Sequence, residues 1–204
     1  MSKKQRVATR TSAGGSNRLR IIGGRWRGRK LSFPDALGLR PTGDRLRETL
    51  FNWLQPYLAE GRCLDLFAGS GALGFEAASR AAAEVVMLEA NPQVARSLAA
   101  NIELLDADQV QLQNMKAEHY LQQTPTPFDL VFLDPPFAFD ILPQIFVLLE
   151  QGWLAEGALI YIEQPLRTQL VFPKSWQILK EKRMGEVQVW LLEVGDLDVS
   201  GRLG

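Results

Sequence analysis

The stretch Asp65-Leu-Phe-Ala-Gly-Ser-Gly-Ala-Leu-Gly74 decides how this chain reads. It follows a short apolar run, 63–67, with the character of a buried strand, and opens a segment, 70–80, with the character of a helix. Gly69, Gly71 and Gly74 have the G-x-G-x-x-G spacing. Glycines there let the backbone turn tightly and approach a ligand with no Cβ in the way. With Phe67 and Ser70 they line a candidate nucleoside-binding loop.

Outward from this loop, strand and helix patterns alternate. A second strand is expected at 85–89, a third at 110–113, a fourth at 128–133, a fifth at 158–162, and two more at 176–181 and 187–193. Between them, Asn91-Pro92 is an N-cap followed by proline at the first helical position, and Val94, Leu98, Ile102 and Leu105 line one face of the helix it starts. Short helices are expected at 119–123 and 141–149, and a helix before the first strand at 44–58. Such alternation implies a mostly parallel sheet with helices on both faces. Ligands then bind beyond the carboxyl ends of the strands, where strand order reverses. Asp65, Glu89 and Asp134 all fall at such ends.

The glycine spacing alone does not separate two cofactors. A dinucleotide site has an acid about 20 residues on for the ribose hydroxyls, and Glu89 fits that position. Asp65, four residues before the first glycine, argues otherwise. Its carboxylate can meet the ammonium of an amino-acid moiety and would repel a pyrophosphate. Few residues remain for the substrate domain of a dehydrogenase, and Asp134-Pro-Pro-Phe137 has no part in hydride transfer. The cofactor expected is therefore S-adenosylmethionine (SAM), released as S-adenosylhomocysteine (SAH). Glu89, followed by Ala90, would accept from the ribose hydroxyls, and Met115, Lys116 and Ala117, after the third strand, would flank the adenine. Glu89 also suits a bland role as a charge near a helix N-terminus.

Asp134-Pro135-Pro136-Phe137 supplies a site for a planar amine. The lone pair of a purine amino group is delocalised into the ring, and acceptors around the amine both turn it out of conjugation and stabilise the positive charge that grows there. Asp134 is a carboxylate, while Pro135 and Pro136 offer carbonyls with no competing N–H. Phe137 offers a face for stacking, worth about 1–3 kcal/mol. Taken alone, the motif could equally be a strand end closed by prolines.

The chain has 204 residues, enough for one domain with a full core. Its zero net charge hides an asymmetry: residues 1–50 carry 13 Lys and Arg against Asp35, Asp44 and Glu48, and the remainder carries 10 against 20 acids. A polyanion is the expected partner of the basic part. Residues 1–17 read as a disordered basic arm, 18–34 as a basic β-hairpin turning at Gly23-Gly24, 35–194 as the main domain and 195–204 as a loose tail. Arg20, Arg25, Arg27, Arg29 and Lys30 would meet phosphates. Trp26 would stack on a base, anchor the hairpin, or do both, since neither role excludes the other. The single cysteine, Cys63, lies in an apolar run and fits a reducing compartment, and the single histidine, His119, reads as a surface residue. No run reaches the roughly 18 apolar residues of a membrane span, no signal-peptide pattern follows the basic start, and no metal-ligand spacing is present.

These residues resemble the class I SAM-dependent methyltransferases that modify exocyclic amines. From about residue 19 to 193 the chain is similar to the RsmD family, on Arg20-Ile-Ile-Gly-Gly24, Trp26-Arg-Gly-Arg-Lys-Leu31, Arg40-Pro-Thr42, Asp44-Arg45, Arg47-Glu-Thr-Leu-Phe-Asn52, Gly152-Trp-Leu154 and the two motifs above. The resemblance implies a Rossmann-like, seven-stranded sheet with the last strand antiparallel. It implies that Arg40, Thr42 and Arg45 help close the cofactor site, and that the hairpin contacts RNA. It implies methylation of guanine N2 in 16S (small-subunit) ribosomal RNA, with naked rRNA or the small ribosomal subunit as partner, in a bacterial cytoplasm, by a monomer without metal. Lys116 departs from the Asn or Asp expected before the alanine. Other functions compatible with the motifs are adenine-N6 methylation of DNA, which lacks a target-recognition domain here, protein glutamine methylation, which the basic hairpin disfavours, and non-catalytic RNA binding, which an intact Asp134–Phe137 motif disfavours.

Overall fold

A computed structural model describes residues 16–34, 43–136 and 140–195. Arg40, Thr42 and Phe137, together with the arm before residue 16 and the tail after 195, lie outside the described residues.

The main sheet has seven strands: β3 (Arg62–Asp65), β4 (Glu84–Leu88), β5 (Val110–Gln113), β6 (Phe128–Leu133), β7 (Leu154–Pro165), β8 (Trp176–Met184) and β9 (Val187–Val194), in the order β5-β4-β3-β6-β7-β9-β8. β3 to β7 pair parallel. β9 inserts antiparallel between β7 and β8, as the resemblance implies. The chain steps outward from β3 to β5, then returns to place β6 on the other side of β3. Strand order therefore reverses between β3 and β6, with Asp65 and Asp134 at the ends of these neighbours.

Helices cover both faces: α1 (Asp44–Leu54), α2 (Ala72–Ser79), α3 (Pro92–Leu105), α4 (Ala117–Tyr120) and α5 (Leu142–Leu149). One core joins Leu50, Phe51 and Leu54 of α1, Phe75 of α2 and Leu98 of α3 to Cys63, Phe132 and Tyr161 of the sheet. The other packs Ile145, Phe146 and Leu149 of α5 on Leu64, Val131 and Ile160. Alternate residues of each strand thus serve opposite layers, which is why the parallel strands read as continuous apolar runs. All residues of α2 are buried, so no amphipathic stripe marks it.

The N-terminal hairpin pairs β1 (Ser16–Arg20) with β2 (Lys30–Pro34), from Ser16–Pro34 to Arg20–Lys30. The turn at Gly23-Gly24 expected from the sequence is instead a long connection, 21–29, laid over α2. Ile22 N–H and Gly23 N–H donate to the Glu76 carboxylate, both at 2.8 Å. Arg25 N–H donates to the Ser79 carbonyl at 2.7 Å, and Trp26 N–H to Ser79 Oγ at 2.9 Å. These backbone donors find partners on a helix, so they do not pair across the hairpin. Gly24 has φ +74, and a Cβ there would lie 1.8 Å from the Ser79 carbonyl oxygen. On the other flank, Ser97 Oγ and Asn101 Nδ2 of α3 both donate to the Ser32 carbonyl at 2.9 Å. Leu19, Ile21, Trp26, Leu31 and Phe33 enter the same core as α1 and α3, so the hairpin is docked rather than free-standing.

Candidate cofactor and substrate site

The loop after β3 is tied to both neighbouring strands. Leu66 N–H donates to the Phe132 carbonyl of β6 at 3.3 Å, and Ala68 N–H to the Leu88 carbonyl of β4 at 2.9 Å. Gly71 caps α2 at φ +80. A Cβ on Gly71 would lie 2.5 Å from the Phe75 ring, and one on Gly74 would lie 2.8 Å from Met87 of β4. Gly71 therefore makes the turn, and Gly74 lets α2 lie close on the sheet. Gly69 presents its N–H to Glu89 Oε2 at 3.1 Å, and Ser70 is buried.

Asp65 is fully buried beneath this loop, where its Oδ2 accepts from Gly74 N–H at 3.1 Å. Burial pushes its carboxyl up to about 7, Glu89 adds to the rise, and hydrogen bonds from the Phe67 and Gly74 backbone oppose it. Glu89 also accepts from Asn91 N–H at 2.7 Å, just before α3, whose first turn Asn91 caps through Gln93 N–H and Val94 N–H. Burial raises Glu89 too, against hydrogen bonds from Asn91, Gly69 and Ala90. Glu89 thus joins the glycine loop to the start of α3. A buried Asp65, a half-buried Glu89, a glycine cradle and exposed Ala90 at adjacent strand ends suit a cationic, ribose-bearing ligand such as SAM.

After β5, Asn114 Nδ2 donates to the Glu89 carbonyl at 2.7 Å and pins the β5 loop to β4. Met115 is half-buried, Ala117 is buried, and Lys116 is exposed. Lys116 stands at the N-cap of α4 with no side-chain cap. A lysine has no acceptor to offer there, where Asn or Asp would bond the first turn. Asp134 is half-buried at the end of β6, Pro135 is buried and Pro136 is exposed.

The family model described as conserved hypothetical protein 95 matches residues 19–193. Ribosomal RNA small subunit methyltransferase D of Escherichia coli is 49% identical over 175 residues, covering 85% of this chain and 88% of that protein. Its Haemophilus influenzae counterpart is 48% identical over 180 residues, covering 86% of this chain and 93% of that protein. The solved structure of yhhF from Escherichia coli, described as a candidate methyltransferase, superposes with TM-score 0.83 at 44% identity, covering 88% of this chain and 99% of that chain.

The chain belongs to the RsmD family. It is a SAM-dependent methyltransferase, and its fold is that of its RsmD relatives.

Of the RsmD-like residues expected to close the cofactor site, Arg45 is exposed in the first turn of α1. Among the described residues the fully buried arginine is Arg47, which heads one of the family motifs but was given no role of its own. Its Nη2 donates to Asp44 Oδ1 at 2.6 Å and to the Arg20 carbonyl at 2.9 Å, and its Nη1 lies 3.7 Å from Glu76 Oε2. Arg20, Arg25, Arg27, Arg29 and Lys30 are all exposed. Arg20 pairs with Asp44 at 3.2 Å and Arg29 donates to the Leu104 carbonyl at 3.2 Å. Trp26 is only 5% exposed. The anchoring role is the one its packing shows: the ring lies in the core beneath the hairpin, and Arg25 lies over it at 5.7 Å. Also missed from sequence were Tyr161 and Glu163 of β7, both buried, with the Tyr161 hydroxyl donating to Glu163 Oε2 at 3.0 Å. An acid closing the apolar run Leu159-Ile160-Tyr161-Ile162 was the signal available.

Proposed function

We propose that this chain methylates the exocyclic N2 of a guanine in 16S (small-subunit) ribosomal RNA, using SAM and releasing SAH. One observation carries the reading: the glycine loop after β3 and Asp134-Pro135-Pro136 after β6 close adjacent parallel strands, with Asp65 paired to Phe132. The donor site and the amine site then abut. When bound, SAM supplies a methyl group on a positively charged sulfur. Glu89 would hold the ribose hydroxyls, Met115 and the Ala117 backbone would flank the adenine, and the charge of Asp65 would face the ammonium. Asp134 and the Pro135 carbonyl would accept from the N2 hydrogens and aim the lone pair. The proton leaves afterwards through Asp134 or water, so no strong base is needed. The relatives' names support small-subunit ribosomal RNA as the substrate. The target base must be unpaired or flipped to reach the site.

Methyl-labelled SAM incubated with small subunits lacking the modification, followed by nucleoside mass spectrometry, tests this reading. N2-methylguanosine is the expected product, and N6-methyladenosine or no methylated base refutes it.

Burial of Asp65 carries a pH prediction. Its folded value, about 7, lies above the ordinary 3.8, so the folded protein binds more protons than the unfolded chain between those values. The associated stability is present below 3.8 and is lost as pH rises to about 7. An ammonium beside Asp65 favours the ionised form. SAH affinity, measured by calorimetry, should therefore weaken as pH falls below about 7, by up to about tenfold per unit, and Asp65→Asn should flatten the profile. A flat wild-type profile contradicts the role of Asp65.

The exposed arginines carry another. Replacing Arg25, Arg27 and Arg29 together by Ala should raise KM for RNA and reduce the slope of log affinity against log salt by about 2–3. An unchanged slope removes the hairpin from the RNA contact.

A further inference from the structure

A second carboxylate stands beside Asp134. Leu133 of β6 pairs with Ile162 of β7, so Asp134 and Glu163 are the next residues on neighbouring parallel strands. Their backbones are about 4.8 Å apart at such a pairing. Burial holds the Tyr161 phenol well above its ordinary value, and the negative charges of Glu163 and then Asp134 add to the rise. Glu163 is 6% exposed. The Tyr161 hydroxyl donates to its Oε2 at 3.0 Å, which fixes the carboxylate plane, and Oε1 receives no hydrogen bond among the described residues. Burial raises the Glu163 carboxyl and the Tyr161 hydrogen bond opposes the rise. A carboxylate this deep is stabilised by a donor that a bound base can bring.

Resting on the guanine reading above, we infer that Glu163 accepts the N1–H of the target guanine and so selects guanine over other purines. Guanine carries N1–H and N2–H₂ on adjoining ring atoms, two donors facing the same way. Asp134 takes the amine and Glu163, one strand over, takes N1–H. An adenine turned to offer its own amine presents N1 as a lone pair, which a carboxylate repels. Tyr161 acts as a positioning residue, holding Oε2 so that Oε1 is left for the base.

The test uses the full chain and target RNA carrying either guanine or 2-aminopurine at the modified position. 2-Aminopurine keeps the 2-amino group and replaces N1–H by a lone pair. Wild type should favour guanine in kcat/KM by about tenfold or more. Glu163→Gln, which can offer N–H to that lone pair, should cut the preference at least about tenfold while SAH affinity holds. Tyr161→Phe should cut it by a smaller factor. A merely structural Glu163 would slow both substrates alike. A guanine preference within about twofold of wild type in both variants overturns the inference, as does a wild type with no preference. A wild type that places no methyl on guanine N2 overturns the guanine reading itself, and this is read before any variant.

Discussion

Asp134→Ala is expected to lower turnover by about 10²–10³-fold or more while affinity for SAH stays within a few fold. Removing one preorganised acceptor from a charge-developing centre costs on this scale. Asp134 follows β6 and is half-buried beside the glycine loop, where it can reach an amine. The loop is held by other groups: Asp65 on Gly74 N–H, Glu89 on Gly69 N–H and the Leu88 carbonyl on Ala68 N–H. Calorimetry with SAH and single-turnover transfer from labelled SAM separate the two effects. A variant with normal turnover removes Asp134 from the reaction, and one that loses SAH binding equally makes it part of the cofactor site.

Glu76→Ala should be the most destabilising change in the described residues outside the apolar core. Glu76 is fully buried in α2 and accepts from Ile22 N–H, Gly23 N–H and Arg80 Nε, each at 2.8 Å, with Arg47 Nη1 at 3.7 Å. Its removal leaves the fully buried Arg47 without that carboxylate and leaves two backbone donors of the hairpin connection without acceptors. Breaking a buried pair by removing one partner costs about 3–5 kcal/mol. For a chain of this size that corresponds to a drop in Tm of about 10 °C. Urea denaturation followed by tryptophan fluorescence reads it directly, since Trp26 is packed beside this network. A loss below about 1 kcal/mol would mean that α2 and the hairpin hold without Glu76.

The sheet was legible because its central strands are buried on both faces and its strands are punctuated by loop signals. The runs 110–113 and 128–133 match β5 and β6, and Asn91-Pro92 starts α3 as its chemistry requires. β7 was legible only in outline: it extends well beyond its apolar centre at 158–162, because Glu163 and Gln164 continue the pairing with β9. The connection 21–29 was misread for a physical reason. Arg25-Trp26-Arg27 alternates as a strand does, but the backbone donors of Ile22, Gly23, Arg25 and Trp26 are taken by Glu76 and Ser79, more than 50 residues away in sequence. No local pattern announces such partners. Glu76 hid for the same reason, as one acid in an otherwise apolar helix whose surroundings are supplied by the hairpin. Asp65, Glu89 and Asp134 were legible because the switch point of a parallel sheet says where strand-end carboxylates gather. Glu163 shares that location but carries no motif, so only the pairing of β6 with β7 brings it beside Asp134.

The most direct test of the central claim is a crystal structure of this chain with bound SAH. The account predicts the ligand across the carboxyl ends of β3, β4 and β6, its ribose hydroxyls on Glu89 and its sulfur facing Asp134. Density for SAH elsewhere on the molecule, or with the sulfur turned away from Asp134, would contradict it.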